Sequence, residues 1–208
     1  MDAEIEQLVR SGKITHKAGE TLDRLAEGSY CQHRSWGFGK VSERNLLLNQ
    51  LVIDFQGKRG HEMQADYAAS SLTPIPPAHI LARAADNPQQ IKDMAREDPA
   101  GLVRIILDSY GGSANQERIA ASLVDTVFSD EEFRKWWSSA KRVLKKDGHF
   151  NVPARRSDPV SLRDEAVGRA DELVEQFNHA NQLKTKIAVL NEIVKNLGEF
   201  ASPQSQLQ

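Results

Sequence analysis

One cysteine, Cys31, among 208 residues excludes an intrachain disulfide and suits a reducing compartment. The same scarcity removes the paired thiolates on which most structural zinc sites depend. No apolar run approaches the ~20 residues needed to span a bilayer, so no membrane partner is expected. The start, Met1-Asp2-Ala3-Glu4-Ile5-Glu6, is acidic and lacks the basic-then-apolar layout of a signal peptide. Together these features predict a cytoplasmic protein. Charge of one sign is missing as well: the net charge is −2, which draws the chain as a whole to neither nucleic acid nor lipid. Catalytic signatures are absent too. The chain has no P-loop, no dinucleotide fingerprint, no Gly-x-Ser-x-Gly elbow and no HExxH. The six histidines, His16, His33, His61, His79, His149 and His179, are too scattered to set metal-ligand spacing. No enzyme, no cofactor and no metal are expected.

What the chain does contain is a tight aromatic bend, Ser29-Tyr30-Cys31-Gln32-His33-Arg34-Ser35-Trp36-Gly37-Phe38-Gly39-Lys40-Val41. Two glycines two apart permit φ > 0, with β-favouring residues on either side. Further on, Leu51-Val52-Ile53-Asp54-Phe55 alternates as a half-buried strand does. Strands are predicted over 29–33, 39–45, 47–55, 61–65 and 72–75, with a turn over 56–60. His61, Met63 and Ala65 share one face. Five short strands with tight turns fit a small SH3- or Tudor-like β-barrel. Pro74, Pro76 and Pro77 stop the last strand.

Both flanks of this β region read as helical. Before it, Ile5, Leu8 and Val9 form one stripe, and Ala18, Leu22, Leu25 and Ala26 another, with Thr15 as N-cap. After it, helices are predicted over 78–85, 88–97, 99–110, 115–127, 130–146, 161–178 and 182–197. Asn87-Pro88 and Asp98-Pro99 place proline at the first helical position. Residues 147–160 read as a loop, and Ala201–Gln208 as a frayed tail. The fold class is therefore α+β, a small barrel followed by an all-helical region. Its segments are 1–28 (helices), 29–76 (barrel), 77–150 (helical), 151–200 (helical hairpin) and 201–208 (tail). The last two helices pair either within the chain or with a second copy.

Two sets of residues are candidates for function. The first is partner-facing: His33, Trp36, Phe38 and Lys40, with Trp36 set on the bend as a rigid aromatic anchor. The competing reading makes Phe38, like Phe55, core, and His33 a structural or polar contact. The second is basic. The segment from Phe133 to Arg156 holds eight basic residues against one acid, Asp147. Of these, Lys141, Arg142, Lys145, Lys146, Arg155 and Arg156 are the candidates for contact with a DNA or RNA backbone. The competing reading is a solvated helix end and loop. The helix itself opens on a capping box, Ser129 and Glu132. Phe133, Trp136, Trp137, Ala140, Val143 and Leu144 make its apolar stripe.

The bend His33-Arg34-Ser35-Trp36-Gly37-Phe38, with Gly39 and Val41, resembles the Tudor-like RNA-polymerase-interacting modules of CarD-type transcription factors and UvrD-type helicases. His79-Ile80-Leu81-Ala82-Arg83, Asp98-Pro99 with Leu102-Val103-Arg104, and Glu132-Phe133-Arg134-Lys135-Trp136-Trp137 with Ala140 and Lys145-Lys146-Asp147 resemble the long N-terminal extension of chlamydial-type Gre transcription elongation factors. The resemblance covers roughly residues 28–165. It implies an accessory module that docks on RNA polymerase without catalysis. Gre factors stimulate RNA cleavage through an acidic hairpin tip that holds a metal ion. The connector Asn178-His179-Ala180-Asn181-Gln182 has no Asp or Glu, so that activity is not expected here. The alternatives are a direct DNA- or RNA-binding module, and a structural adaptor with no nucleic-acid role.

Overall fold

Local capping starts the first two helices. The Asp2 carboxylate accepts the Glu4 amide at the head of α1 (Ala3–Arg10), and the Thr15 hydroxyl accepts the Ala18 amide at the head of α2 (His16–Asp23). Each satisfies a backbone donor that the helix leaves orphaned. The computed structural model describes residues 1–153, 155–180 and 182–195. The expected tail Ala201–Gln208 and the end of the last expected helix lie outside the described residues. Contacts divide the chain into two compact units, one running to Pro88 and the other beginning at Gln89.

The first unit is built on a five-stranded antiparallel sheet: β1 (Tyr30–His33), β2 (Gly37–Asn45), β3 (Gln50–Phe55), β4 (Lys58–Gln64) and β5 (Leu72–Ile75). The strand order is β4-β3-β2-β1-β5. The sheet is open in its hydrogen bonding, with β4 and β5 as its two borders. Alternation along β3 buries Leu51, Ile53 and Phe55. These pack with Cys31, Val41, Met63, the helical residues Ile5 and Leu22, and Leu25 just past the end of α2 in one apolar core. Cys31 is wholly buried there, and desolvation raises its thiol pKa to about 12; such a thiol is a poor nucleophile. Pro74 lies inside β5 rather than ending it. It is tolerated because β5 is a border strand and needs no second partner. A short helix, α3 (Ala65–Ser71), precedes the last strand and takes Ala65 out of the strand expected over 61–65. It buries Ala65 and Ala68 against the core. Helix α4 (Ile80–Asp86) follows, its first turn capped by His79, whose Nδ1 accepts the Leu81 amide.

The second unit is helical with a small sheet. Its helices are α5 (Pro88–Glu97), α6 (Pro99–Ser109), α7 (Gln116–Ala121), α8 (Asp130–Leu144), α9 (Arg169–His179) and α10 (Leu183–Lys195). Asp98 caps α6 ahead of Pro99, and Ser129 with Glu132 completes the capping box of α8. Three differences from the sequence reading stand out. Helix α7 stops at Ala121 instead of 127, and the chain then turns, with Asp125 at φ 67. Short strands β6 (Ser113–Ala114), β7 (Phe150–Asn151) and β8 (Val160–Leu162) form an antiparallel sheet in the order β6-β8-β7. The helix expected from 161 begins only at Arg169. Ahead of it the chain is irregular, with a bend at 164–165, the Arg163 amide donating to the His149 carbonyl and the Val167 amide to the Gly148 carbonyl. Two- and three-residue strands have no period to read, and their pairing partners lie in distant segments. Helices α9 and α10 lie against one another within the chain.

Helix α8 packs on α6. Phe133, Trp137, Ala140 and Leu144, spaced four, three and four, are buried on one face. Val143, expected in that stripe, is exposed. Trp136 is half-buried, and its Nε1–H donates to the Ala95 carbonyl at 2.8 Å. That bond ties α8 to α5 beside the Lys92–Glu132 ion pair.

Candidate functional surfaces

The aromatic bend of the first unit is a three-residue turn, 34–36, that closes on Gly37. Gly37 sits at φ +74, a conformation that penalises a Cβ. Gly39 serves a different purpose. Its φ is ordinary, but an added Cβ would lie 2.6 Å from Phe55 Cδ1 and 3.0 Å from Ile53 Cγ2. The strand must pass this close to the Phe55 ring, so only hydrogen fits.

His33 organises the turn from beneath. It is buried, and its Nδ1 accepts the backbone amides of Ser35 at 3.0 Å and Trp36 at 3.2 Å. An Nδ1 that accepts two bonds places the ring proton of the neutral form on Nε2. The Trp36 indole then stacks on the imidazole, with centroids 4.3 Å apart and planes at 23°. The edge of His61 meets it at 3.9 Å, Phe55 lies at 5.6 Å, and Lys58 Nζ stands 5.7 Å from the indole centroid. Trp36 remains 36% exposed. It is a large ring held on three sides and open on the fourth. Burial, then the charge of Lys58, then His33, push the His61 pKa below its usual value.

Phe38 and Lys40 do not join this cluster. In register, Gly37 and Gly39 oppose His33 and Cys31, while Phe38 and Lys40 oppose Gln32 and Tyr30. The first pair of contacts lies on the core face and the second on the other face. Phe38 is half-buried and stacks on Tyr30 at 5.1 Å, and Lys40 Nζ lies 5.2 Å from the Tyr30 ring. The Tyr30 hydroxyl donates to Asp86 at 2.6 Å. Desolvation, together with that carboxylate, raises its pKa to about 12. The four residues singled out in the sequence therefore split between two faces. The turn face recruits Phe55, Lys58 and His61, whose place beside Trp36 the sequence does not announce. The only available signal was His61 sharing the strand face of the buried Met63.

In the second unit, Lys141, Arg142, Lys145 and Lys146 lie at the C-terminal end of α8 and just beyond it, where cations suit the helix dipole. Arg155 and Arg156 lie exposed on the loop between β7 and β8. Among the described residues none of the six is in an ion pair, whereas Lys135 pairs with Glu131 at 2.7 Å and Lys92 with Glu132 at 3.3 Å. Lys141, Arg155 and Arg156 line one small cavity together with Trp137. Arg142, Lys145 and Lys146 are not part of that cavity. Among the described residues, no three His, Cys, Asp or Glu side chains converge to hold a metal ion, and no helix is long and apolar enough to cross a membrane.

Residues 81–167, from α4 through the stretch after β8, match the GRAD helix-turn-helix domain. The chain as a whole is similar to Gre-type proteins. It is 27% identical over 189 residues to a transcription elongation factor GreA of Chlamydia trachomatis, covering 90% of this chain and 26% of that protein. It is 27% identical over 178 residues to the GreA of Chlamydia pneumoniae, covering 85% of this chain and 24% of the relative. Over 166 residues it is 26% identical to a GreA-associated domains protein of Treponema pallidum, covering 79% of this chain and 25% of the relative. The chain thus spans about a quarter of the length of these relatives. No solved structure matches it.

Proposed function

We propose that this chain is a non-catalytic accessory module of the transcription elongation apparatus. The first unit docks on RNA polymerase through Trp36, and the second holds a nucleic-acid backbone against its basic surface. The observation that carries the docking is the indole of Trp36, clamped by His33, His61 and Phe55 yet open to solvent. A rigid aromatic loses little entropy on binding, and such residues dominate interface energies. Similarity to proteins named transcription elongation factors supplies the class of partner. The order β4-β3-β2-β1-β5 with a helix ahead of β5 supports a Tudor-like reading of the sheet.

Contact with nucleic acid has its own support. The helix-turn-helix match spans α7 and α8. In DNA-binding proteins of that class the second helix enters the major groove. Here that helix is α8, whose exposed side carries Arg134, Lys135, Ser138 and Arg142. The chain order α6-β6-α7-α8-β7-β8, with β8 between its neighbours, is that of a winged helix, and Arg155 and Arg156 sit on the wing loop. Among the described residues these six cations have no carboxylate partner within salt-bridge distance, which leaves them to neutralise phosphates.

The test is capture of RNA polymerase by the full chain at two salt concentrations, with and without an assembled elongation complex. Trp36→Ala is expected to weaken capture at least ~30-fold, the equivalent of a ~2 kcal/mol hot spot. Lys145→Glu with Lys146→Glu should weaken binding to the elongation complex more than to free polymerase. The same pair should lower the salt slope by about 2, since each phosphate contact contributes ~0.9. Full capture by a folded Trp36→Ala chain would overturn the docking. Equal loss on both forms of polymerase would overturn the nucleic-acid contact.

A further inference from the structure

The indole of Trp137 poses a question that packing alone does not answer. The side chain is 3% exposed, and its Nε1–H finds no acceptor among the described residues. Its neighbour Trp136 is satisfied by the Ala95 carbonyl. A buried donor left without a partner is costly, so an unpaired one calls for an acceptor from outside the chain or for water. Trp137 forms part of the wall of a cavity of about 30 Å³ that opens to the surface, room for roughly two water-sized atoms. The charged residues lining it are Lys141, Arg155, Arg156 and Asp158, and Gln116 adds a neutral amide from the head of α7. Lys141 Nζ stands 6.0 Å from the Trp137 ring centroid. Three cations therefore face one carboxylate around a space of two atoms, walled in part by a tryptophan whose N–H has no acceptor among the described residues. Water would satisfy the indole but not the charge.

We infer that this cavity is a seat for one phosphodiester group of a nucleic-acid strand. It would hold the two unesterified oxygens between the Trp137 indole N–H and the cations of Lys141, Arg155 and Arg156. The seat rests on the reading that the second unit meets nucleic acid, and it adds a defined anchoring point. Helix α8 supplies Trp137 and Lys141, and the β7–β8 loop supplies both arginines, so a bound phosphate would fix the loop against the helix. Such a contact carries no base information; it sets the register of the strand.

The test uses the full chain labelled with ¹⁵N and a short DNA duplex at low salt. The sequence has three tryptophans, so three indole N–H signals report separately. The Trp137 signal is expected to move downfield as the duplex is added, while that of Trp136, already bonded to Ala95, stays. Trp137→Phe keeps a ring against Phe133, with which Trp137 stacks at 6.2 Å, and removes only the N–H donor. It should lower duplex affinity about ten-fold or more, as loss of a hydrogen bond to a charged group does. Should that variant fail to fold, Arg155→Gln with Arg156→Gln, both at the surface, should abolish the Trp137 shift. A duplex that binds while the Trp137 signal stays still overturns the seat and leaves the nucleic-acid reading intact. Failure of the duplex to bind at all overturns both. Inorganic phosphate that moves the signal where the duplex does not would assign the cavity to free phosphate and likewise overturn the proposal.

Discussion

Gly37 and Gly39 flank Phe38, yet the structure requires glycine at each for a different reason, and substitution separates the two. At Gly39 a Cβ would lie 2.6 and 2.9 Å from two atoms of the Phe55 ring and 3.0 Å from Ile53. Phe55 is 2% exposed and Ile53 wholly buried, so neither can swing away. Overpacking of this kind costs roughly 1–3 kcal/mol. Taking about 2 kcal/mol for Gly39→Ala, a unit of this size would melt ~8–16 °C lower. At Gly37 nothing lies within 4 Å of the added carbon. The cost there is conformational, about 1–2 kcal/mol for an ordinary residue at φ > 0. The ranges overlap, so the decisive comparison is with asparagine, which tolerates positive φ but is bulkier than alanine. Asn should be milder than Ala at 37 and harsher than Ala at 39. Phe55→Leu should recover part of the loss in Gly39→Ala and none in Gly37→Ala. Urea unfolding of the full chain, followed through the Trp36 indole signal, measures all of these. The same order of Ala and Asn at both positions, or strict additivity of Gly39→Ala with Phe55→Leu, would refute the assignment of Gly39 to close packing.

Two other consequences are open to measurement. The His61 pKa is held below its usual ~6.5 by burial, Lys58 and His33, so the folded first unit resists a proton that the unfolded chain accepts. The stability this contributes is complete above pH ~6.5 and declines as pH falls through the depressed value; thermal melts at pH 7.5 and 5.5 should show a smaller acid loss in His61→Gln than in the parent. Ser129→Ala removes the cap that accepts the Glu132 amide and should destabilise the second unit by about 1 kcal/mol, seen as a lower denaturant midpoint with an unchanged slope.

Much of this architecture is legible in the residues because it is local. Thr15, Asp98-Pro99 and the Ser129–Glu132 box announce helix starts, and each cap forms as read. The alternation of Leu51, Ile53 and Phe55 places β3 and its buried face. What escapes the sequence is decided at a distance. Strands β6, β7 and β8 are two or three residues long and exist through pairings such as Phe150 with Leu162, which no window of neighbouring residues contains. Helix α3 is a seven-residue element rich in small residues, and burial of Ala65 and Ala68 holds it in place. The candidate surfaces follow the same rule. Trp36 was legible as a residue on a bend, but its clamp depends on β3–β4 pairing that brings Ile53 opposite His61. The division of His33 from Phe38 and Lys40 is a matter of strand register, where one step in sequence changes the face. The basic run at 141–156 was legible as charge. That Lys141 meets Arg155 and Arg156 beside an unsatisfied indole depends on the β7–β8 loop returning to α8.

The lone sulfhydryl has a practical use that follows from its position. Cys31 is sealed on the core face of β1 with its thiol pKa raised far above neutral, so an alkylating reagent can reach it only when the sheet comes apart. At neutral pH the labelling rate therefore acts as a clock for opening of the first unit. Anything clamped onto Trp36 that favours the closed state must slow that clock in proportion to its occupancy, which gives a readout of docking without any added tag.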